Sequence, residues 1–157
     1  MRYLIYDTAL NGFPTLMGLQ KYYEVNESLF KGTKDEVIMD VSPWLLQIDD
    51  QLSENLSKET DFSMQFTLQV EAAGDIHRVA THLRKFIYQT IDGREYFFRF
   101  YDARVFKKYL PTCDKDQILD FFGPIDSFLI EEEAAEGGIR YWQKDGILKQ
   151  SNIKPTT

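Results

Sequence analysis

Residues 96–110 of the chain read YFFRFYDARVFKKYL, and this stretch contains both a strand pattern and a helix start. Its seven aromatic side chains are typical of a β-strand. Asp102 is a favourable N-terminal cap, because its carboxylate can accept hydrogen bonds from the free backbone N–H groups of a first helical turn. Pro111 cannot continue a helix. The stretch therefore predicts a strand that ends at Tyr101 and a helix that begins after Asp102 and ends before Pro111.

The strand before this corner, EYFFRFY at residues 95–101, is predicted to lie in the centre of a sheet. Side chains alternate between the two faces of a strand, and here both faces are largely apolar. Such a strand is typically covered on both sides. Arg99 would then be partly buried, and its charge would need Asp7, Asp102 or backbone carbonyls as a partner. The alternative is that Arg99 binds an anion.

The sequence that precedes this corner predicts a hairpin, a helix and further strands. The pair Asp92-Gly93 favours a two-residue turn between two strands. Asp75 can cap a helix, and apolar residues recur behind it at helical spacing. Farther upstream, the apolar runs 36–41 and 44–48 are separated by Pro43 and predict two more strands or strand-like segments.

Strand and helix patterns alternate along the whole chain, whose 157 residues fit one domain of ordinary size. This alternation predicts a single α/β or α+β domain, in which a mixed β-sheet is flanked by helices and followed by a C-terminal strand and hairpin region. We assign residues 1–149 to this domain and residues 150–157 to a flexible tail.

The composition favours protein partners over nucleic acids or membranes. A formal charge of −7 provides no net basic surface for phosphate contacts, whereas an acidic surface suits basic protein partners. The N-terminal sequence lacks the apolar core of a signal peptide, and no run approaches the roughly 20 apolar residues of a membrane span. The single cysteine, Cys113, excludes an internal disulfide and fits a reducing compartment. We therefore expect a cytoplasmic protein.

The sequence contains no recognisable catalytic or metal-binding constellation. His77 and His82 are five residues apart, roughly 140° around a helix, so they would not share a face as a metal-binding pair does. We expect both to lie at the surface. The sequence has no phosphate-binding glycine loop and no nucleophile elbow. We expect no enzymatic activity, metal or cofactor; the alternative is an enzyme whose Asp, Glu, His and Arg residues gather only on folding.

Two basic helix faces are candidates for partner binding. Arg84 and Lys85 lie on one predicted helix, and Lys107 and Lys108 lie beside Arg104 on another. Such faces can dock an acidic partner segment; the alternative is a solvated helix surface.

Several aromatic side chains are also candidates. Trp44, Tyr141 and Trp142 are residue types that anchor protein interfaces, and core packing is the alternative role for each. The C-terminal strands that contain IRYWQ can include a sheet edge that accepts a partner strand.

Six fragments of the chain resemble, in the same order, parts of one protein family. They are YLIYDTALN, LFKGT, SPWLLQI, HLRKF, FFRFYDARV and FFGPI, and together they cover roughly residues 3–128. They resemble the type VI secretion effector-loading adaptors, chaperones of the Tap or Tec type that were long classed as a domain of unknown function. The most specific feature is an arginine-aromatic-aromatic-aspartate-x-arginine motif between the proline-tryptophan-leucine and phenylalanine-glycine-proline-isoleucine segments.

This resemblance implies a cytoplasmic, non-enzymatic bacterial adaptor that binds a toxic effector protein and helps to place it on the VgrG spike before secretion. Arg99, Asp102 and Arg104 match the signature positions of the family, which usually has proline where this chain has Ala103. Trp44 matches the proline-tryptophan-leucine segment. We expect the signature to fix the strand-to-helix corner, with the partner surface beside it. The alternative is a small acidic immunity-type or regulatory protein that neutralises a toxin.

Overall fold

Nine strands and six helices make up the described part of the chain, which comprises residues 1–60, 64–132 and 137–153 of the computed structural model. The strands are β1 (Arg2–Asp7), β2 (Asn26–Ser28), β3 (Pro43–Ile48), β4 (Leu68–Ala72), β5 (Tyr88–Ile91), β6 (Arg94–Phe97), β7 (Ile125–Glu132), β8 (Gly137–Lys144) and β9 (Ile147–Ile153). The helices are α1 (Thr8–Asn11), α2 (Phe13–Tyr22), α3 (Leu52–Glu59), α4 (Ile76–Arg84), α5 (Ala103–Tyr109) and α6 (Lys115–Phe122). A 3₁₀ turn, Leu110–Thr112, follows α5.

Seven of the strands form one sheet in the order β2-β3-β1-β4-β7-β8-β9, and β5 and β6 form a separate hairpin. The predicted single α+β domain with C-terminal strands is confirmed. The predicted mixed sheet differs from the structure, because every described pair of neighbouring strands is antiparallel. Helices do connect the parallel strands β1 and β2, but β3 lies between them, and β1 likewise lies between β3 and β4. Strands joined through a helix are therefore not neighbours.

Both faces of the central strand β1 are buried. Its alternating side chains enter two hydrophobic clusters, with Tyr3 and Ile5 in one and Leu4 and Tyr6 in the other. Helices α4, α5 and α6 contribute to the first cluster, and α2 and α3 contribute to the second. β1 thus occupies the doubly covered position that the sequence predicts for residues 95–101.

The prediction of a central strand at residues 95–101 is wrong. Only Arg94–Phe97 form a strand, β6, which pairs with β5 alone and has exposed side chains. The predicted turn is confirmed, because Asp92 and Gly93 both have positive φ angles, 52° and 76°. Because β6 has one neighbouring strand and its side chains are exposed, the aromatic alternation here does not mark a core strand. The chain bends after the hairpin, and Phe100 enters the core from that bend.

The prediction of a strand at residues 36–41 is also wrong. Successive backbone hydrogen bonds across three residues fold this segment into turns, such as those from Ile38 N to Asp35 O at 3.0 Å and from Val41 N to Ile38 O at 3.2 Å. Its apolar side chains are exposed. The second predicted strand is confirmed as β3, which begins at Pro43.

The predicted helix caps are confirmed, whereas the predicted C-terminal boundary of the domain differs from the structure. Asp75 and Asp102 cap α4 and α5 as predicted, since their carboxylates accept hydrogen bonds from backbone N–H groups. The predicted tail is wrong for residues 150–153, because antiparallel pairing with β8 extends β9 to Ile153. Residues 154–157 lie outside the described residues. Within the described ranges, no helix combines the length and the apolar character needed to cross a membrane.

Candidate functional site

The signature residue Arg99 is bound to the central strand. Its guanidinium donates a hydrogen bond to Oδ2 of Asp7, the last residue of β1, and lies 5.8 Å from the ring centroid of Tyr101. The Asp7 side chain is only 2% exposed, and it also caps α1 by accepting from Leu10 N. Arg99 itself is 41% exposed. The expectation that Arg99 pairs with Asp7, Asp102 or backbone carbonyls is confirmed, and the partner is Asp7.

Asp102 and Arg104 form a second ion pair at the start of α5. The buried Asp102 carboxylate accepts from Nε of Arg104 at 3.1 Å and from its Nη2 at 2.8 Å, as well as from its backbone N–H. Burial raises the pKa of Asp102, but the hydrogen bonds from Arg104 outweigh this effect and hold the pKa below its usual range. Asp102 is therefore both a helix cap and the acceptor for a charged neighbour.

Phe66 also contacts this strand-to-helix corner, and no pattern in the sequence predicts that contact. The Arg104 guanidinium lies 3.9 Å from the centre of the Phe66 ring, a cation–π contact. The Phe66 carbonyl accepts from the backbone N–H of Ala103 at 3.0 Å. Phe66 has a positive φ of 53°, which is unusual for a residue with a side chain. The signature thus joins three segments: the end of β1, the loop before β4 and the start of α5.

The basic face of α4 is partly neutralised. Arg84 is only 15% exposed and donates to Oε2 of Glu27 at 2.6 Å and to the Ser28 carbonyl at 2.7 Å. Glu27 also contacts His77 and Lys31. Burial raises the pKa of Glu27, but the hydrogen bond and charge of Arg84, together with His77 and Lys31, outweigh this effect, so the pKa lies below its usual value. Glu27, which the sequence analysis did not single out, ties Arg84 to β2.

The three lysine candidates are exposed on two different helices. Lys85 follows the last residue of α4, whereas Lys107 and Lys108 lie in the last turn of α5. Cations near a helix C-terminus are favourable, because the last carbonyl groups carry partial negative charge. A role for these lysines in docking an acidic partner stays a prediction.

The aromatic candidates lie in three different environments. Trp44 is half-buried against the second hydrophobic cluster, and its Nε1 donates to the Met39 carbonyl at 3.4 Å. Tyr141 is only 6% exposed and packs 5.3 Å from the ring of Phe106. Trp142, the next residue of β8, lies on the opposite face of the sheet and is half-buried. Strand β8 has neighbours on both sides, so β9 forms the sheet edge.

The histidines differ from the expectation of two surface side chains. His77 is exposed, but His82 is buried, with its Nε2 2.7 Å from the Phe121 carbonyl and its ring against Phe86. Helix α6 packs on α4 here, and a sequence pattern does not report which helix covers a given polar position. Gly123 leaves the necessary space, since a Cβ there would lie 2.3 Å from the His82 ring. Among the described residues, no three His, Cys, Asp or Glu side chains gather as a metal site.

An exposed apolar surface lies beside the signature. Seven large hydrophobic side chains of two segments are exposed, and Val37 reaches 89%. They are Val37, Ile38, Met39, Val41, Ile91, Tyr96 and Phe97. We refer to residues 36–41 and 88–97 together as the loop-hairpin surface. Contiguous exposed apolar side chains with a polar rim are typical of interaction sites.

Three contacts join the hairpin of this surface to the segment that precedes the loop, residues 30–35. Lys34 forms an ion pair with Glu95, and the Tyr88 hydroxyl donates to Oδ2 of Asp35. The ring of Phe97 packs edge-on against Phe30, which is buried in the core, at a centroid distance of 5.8 Å. An isolated two-stranded hairpin is only marginally stable, so these contacts hold it against the domain.

Comparison with protein families gives a match over most of the chain. A family model described as Domain of unknown function (DUF4123) matches residues 3–119. The matched span begins in β1, ends in α6 and contains both the signature corner and the loop-hairpin surface. Neither a search of curated proteins nor a search of solved structures found a match.

Proposed function

Because this chain belongs to the DUF4123 domain family, we propose that it is a cytoplasmic bacterial adaptor that binds a type VI secretion effector and helps to load it onto the VgrG spike. The proposal combines the family membership with the resemblance of the six fragments to effector-loading adaptors. Five of these fragments lie inside the matched span, and FFGPI lies just after it. In this proposal the chain acts by protein binding and has no enzymatic activity.

The observation that carries the proposal is the loop-hairpin surface. An adaptor must present a surface that another protein can cover, and a stable interface buries about 800 Å² on each partner. The seven exposed apolar side chains of the loop and the hairpin lie within the family span and are accessible to a partner. Burying them against a partner would remove apolar area from water, which is the main favourable contribution to association.

The signature residues fix the position of the hairpin, which carries part of this surface. The backbone N–H of Phe98, directly after β6, donates to the Ile87 carbonyl at 2.6 Å and closes the base of the hairpin. Arg99 follows and is fixed to β1 through Asp7. The ion pair therefore anchors the chain that leaves the hairpin, and the signature acts as a support for the binding surface.

Co-expression with a candidate effector and a candidate VgrG protein from neighbouring genes tests the proposal. After affinity purification, size-exclusion chromatography with mass determination should give a stable complex of chain and effector. VgrG should join only when both are present. If the chain stays alone while the effector remains soluble and still reaches VgrG, the adaptor proposal fails. Protection from the toxin without VgrG recruitment would instead identify an immunity-type protein.

A further inference from the structure

Two carboxylates flank the most exposed apolar residues of the loop. Glu36 precedes Val37, Ile38 and Met39, and Asp40 follows them. Both acidic residues are exposed, and neither side chain has a hydrogen bond or an ion pair with a described residue. The loop therefore presents apolar side chains between two carboxylates that lack partners within the described chain.

The other charges around this surface largely balance each other. Lys34 is paired with Glu95, and the Asp35 carboxylate accepts the Tyr88 hydroxyl proton in a hydrogen bond. At the hairpin turn, one negative and one positive residue, Asp92 and Arg94, are close in sequence. The Tyr88 hydroxyl is neutral, so the unbalanced charge is the negative charge of Asp35, Glu36 and Asp40. A partner that buries the apolar residues must bring these carboxylates close to its own groups, and cations there would compensate them.

We propose that the loop-hairpin surface binds the effector, and that the complementary effector surface is an apolar groove rimmed by lysine or arginine side chains. This inference rests on the proposed adaptor function and names the contact and its chemistry. The groove follows from the shape of the loop, because a side chain as exposed as Val37 projects from the domain. The basic rim follows from the charges of Glu36 and Asp40. VgrG and a second copy of the chain are the competing occupants.

Replacement of two exposed apolar side chains of the loop tests the apolar contact. The double variant Val37→Ser/Ile38→Ser should bind a catalytically inactive form of the neighbouring effector about tenfold or more weakly, because central apolar side chains dominate interface energetics. Its melting temperature should stay unchanged, since both side chains are already exposed. Ile147→Ser, at an exposed position of β9 on the far edge of the sheet, is the matched control and should bind normally.

Removal of the loop charges tests the basic rim. Glu36→Gln/Asp40→Asn should weaken effector binding at low salt, and its affinity should depend less on NaCl concentration than that of the wild type. Asp126→Asn, an exposed aspartate of β7, is the control and should retain the wild-type salt dependence. If Glu36→Gln/Asp40→Asn binds as tightly as the wild type at low salt, the proposal of a basic rim on the effector surface is wrong.

The outcomes separate this inference from the proposed function. If the wild type binds the effector and the Val37→Ser/Ile38→Ser variant binds it equally well, the surface assignment fails while the adaptor function stands. Normal effector binding with loss of VgrG recruitment assigns the surface to the spike and overturns the inference. A wild-type dimer that this variant converts to a monomer assigns it to a second copy. If the wild type does not bind the effector at all, the adaptor function itself fails.

Discussion

The guanidinium of Arg99 is paired with the buried carboxylate of Asp7, a residue 92 positions earlier in the chain. The pair joins the end of the central strand β1 to the bend between the β5-β6 hairpin and α5. Neither partner lies on the loop-hairpin surface. The ion pair would therefore affect effector binding by holding the hairpin in place. This is a structural role and involves no direct contact with the effector.

Arg99→Ala should destabilise the domain by about 2 kcal/mol, because it leaves the Asp7 carboxylate buried without its cationic partner. Urea denaturation measures the loss in the free energy of unfolding. The control Arg94→Ala, at an exposed position of the hairpin, should change stability by no more than about 0.5 kcal/mol. An unchanged melting temperature together with lost effector binding would make Arg99 a contact residue instead.

Ala103→Pro should destabilise this chain by about 1 kcal/mol, although proline is favourable at the first position of a helix. The reason is the hydrogen bond from the Ala103 N–H to the Phe66 carbonyl, which proline cannot form. Thermal and urea unfolding measure the effect. The matched control is Phe66→Ala, which keeps the carbonyl but loses the contact with Arg104. A stabilised Ala103→Pro variant would contradict the importance of this backbone bond.

Glu27→Gln should lower the free energy of unfolding by about 2 kcal/mol, since it removes the negative charge that compensates the largely buried Arg84. Lys85→Ala, next in sequence but exposed, is the control and should have an effect below about 0.5 kcal/mol. Chemical denaturation of both variants gives the comparison. Equal effects of the two substitutions would show that the Glu27 pair contributes no more than an ordinary surface residue.

His82 should make the stability depend on pH below neutrality. Burial lowers the pKa of His82 in the folded chain, whereas an exposed histidine in the unfolded chain has a pKa of about 6.5. The unfolded chain therefore binds the proton more readily, and the free energy of unfolding should fall as pH decreases from about 7 towards the lower folded pKa. Carboxylates such as Asp102 and Glu27, whose pKa values are lowered by hydrogen bonds from arginine despite opposing burial, add a similar loss only at more acidic pH.

Thermal unfolding between pH 7.5 and pH 5 measures the contribution of His82. His82→Gln should flatten the pH dependence in this range, although it also lowers stability at neutral pH because the packing against Phe86 changes. His77→Gln, which replaces the exposed histidine of the same helix, is the matched control, because it leaves the buried His82 ring in place. A flat wild-type profile above pH 5 would contradict a lowered pKa for His82.

The local features of this chain are determined by the sequence itself. Asp75 and Asp102 cap their helices because a carboxylate reaches backbone N–H groups only two or three residues away. The Asp92-Gly93 turn forms because its two residues adopt positive φ angles at low cost. The need of a partly buried Arg99 for an anionic or carbonyl partner also follows from the sequence, and Asp7 is one of the partners that it suggests.

The placement of apolar segments is decided only by the tertiary structure. Residues 36–41 and 95–101 have the composition of buried strands, yet the first forms exposed turns and the second begins in an exposed hairpin. Burial requires a covering element, and the elements that could cover these segments come from distant parts of the chain. Long-range packing also determines that α6 covers His82 and that Arg84 pairs with Glu27. Sequence patterns record the preferences of a segment, whereas long-range packing determines which apolar segments enter the core and which remain exposed at the surface.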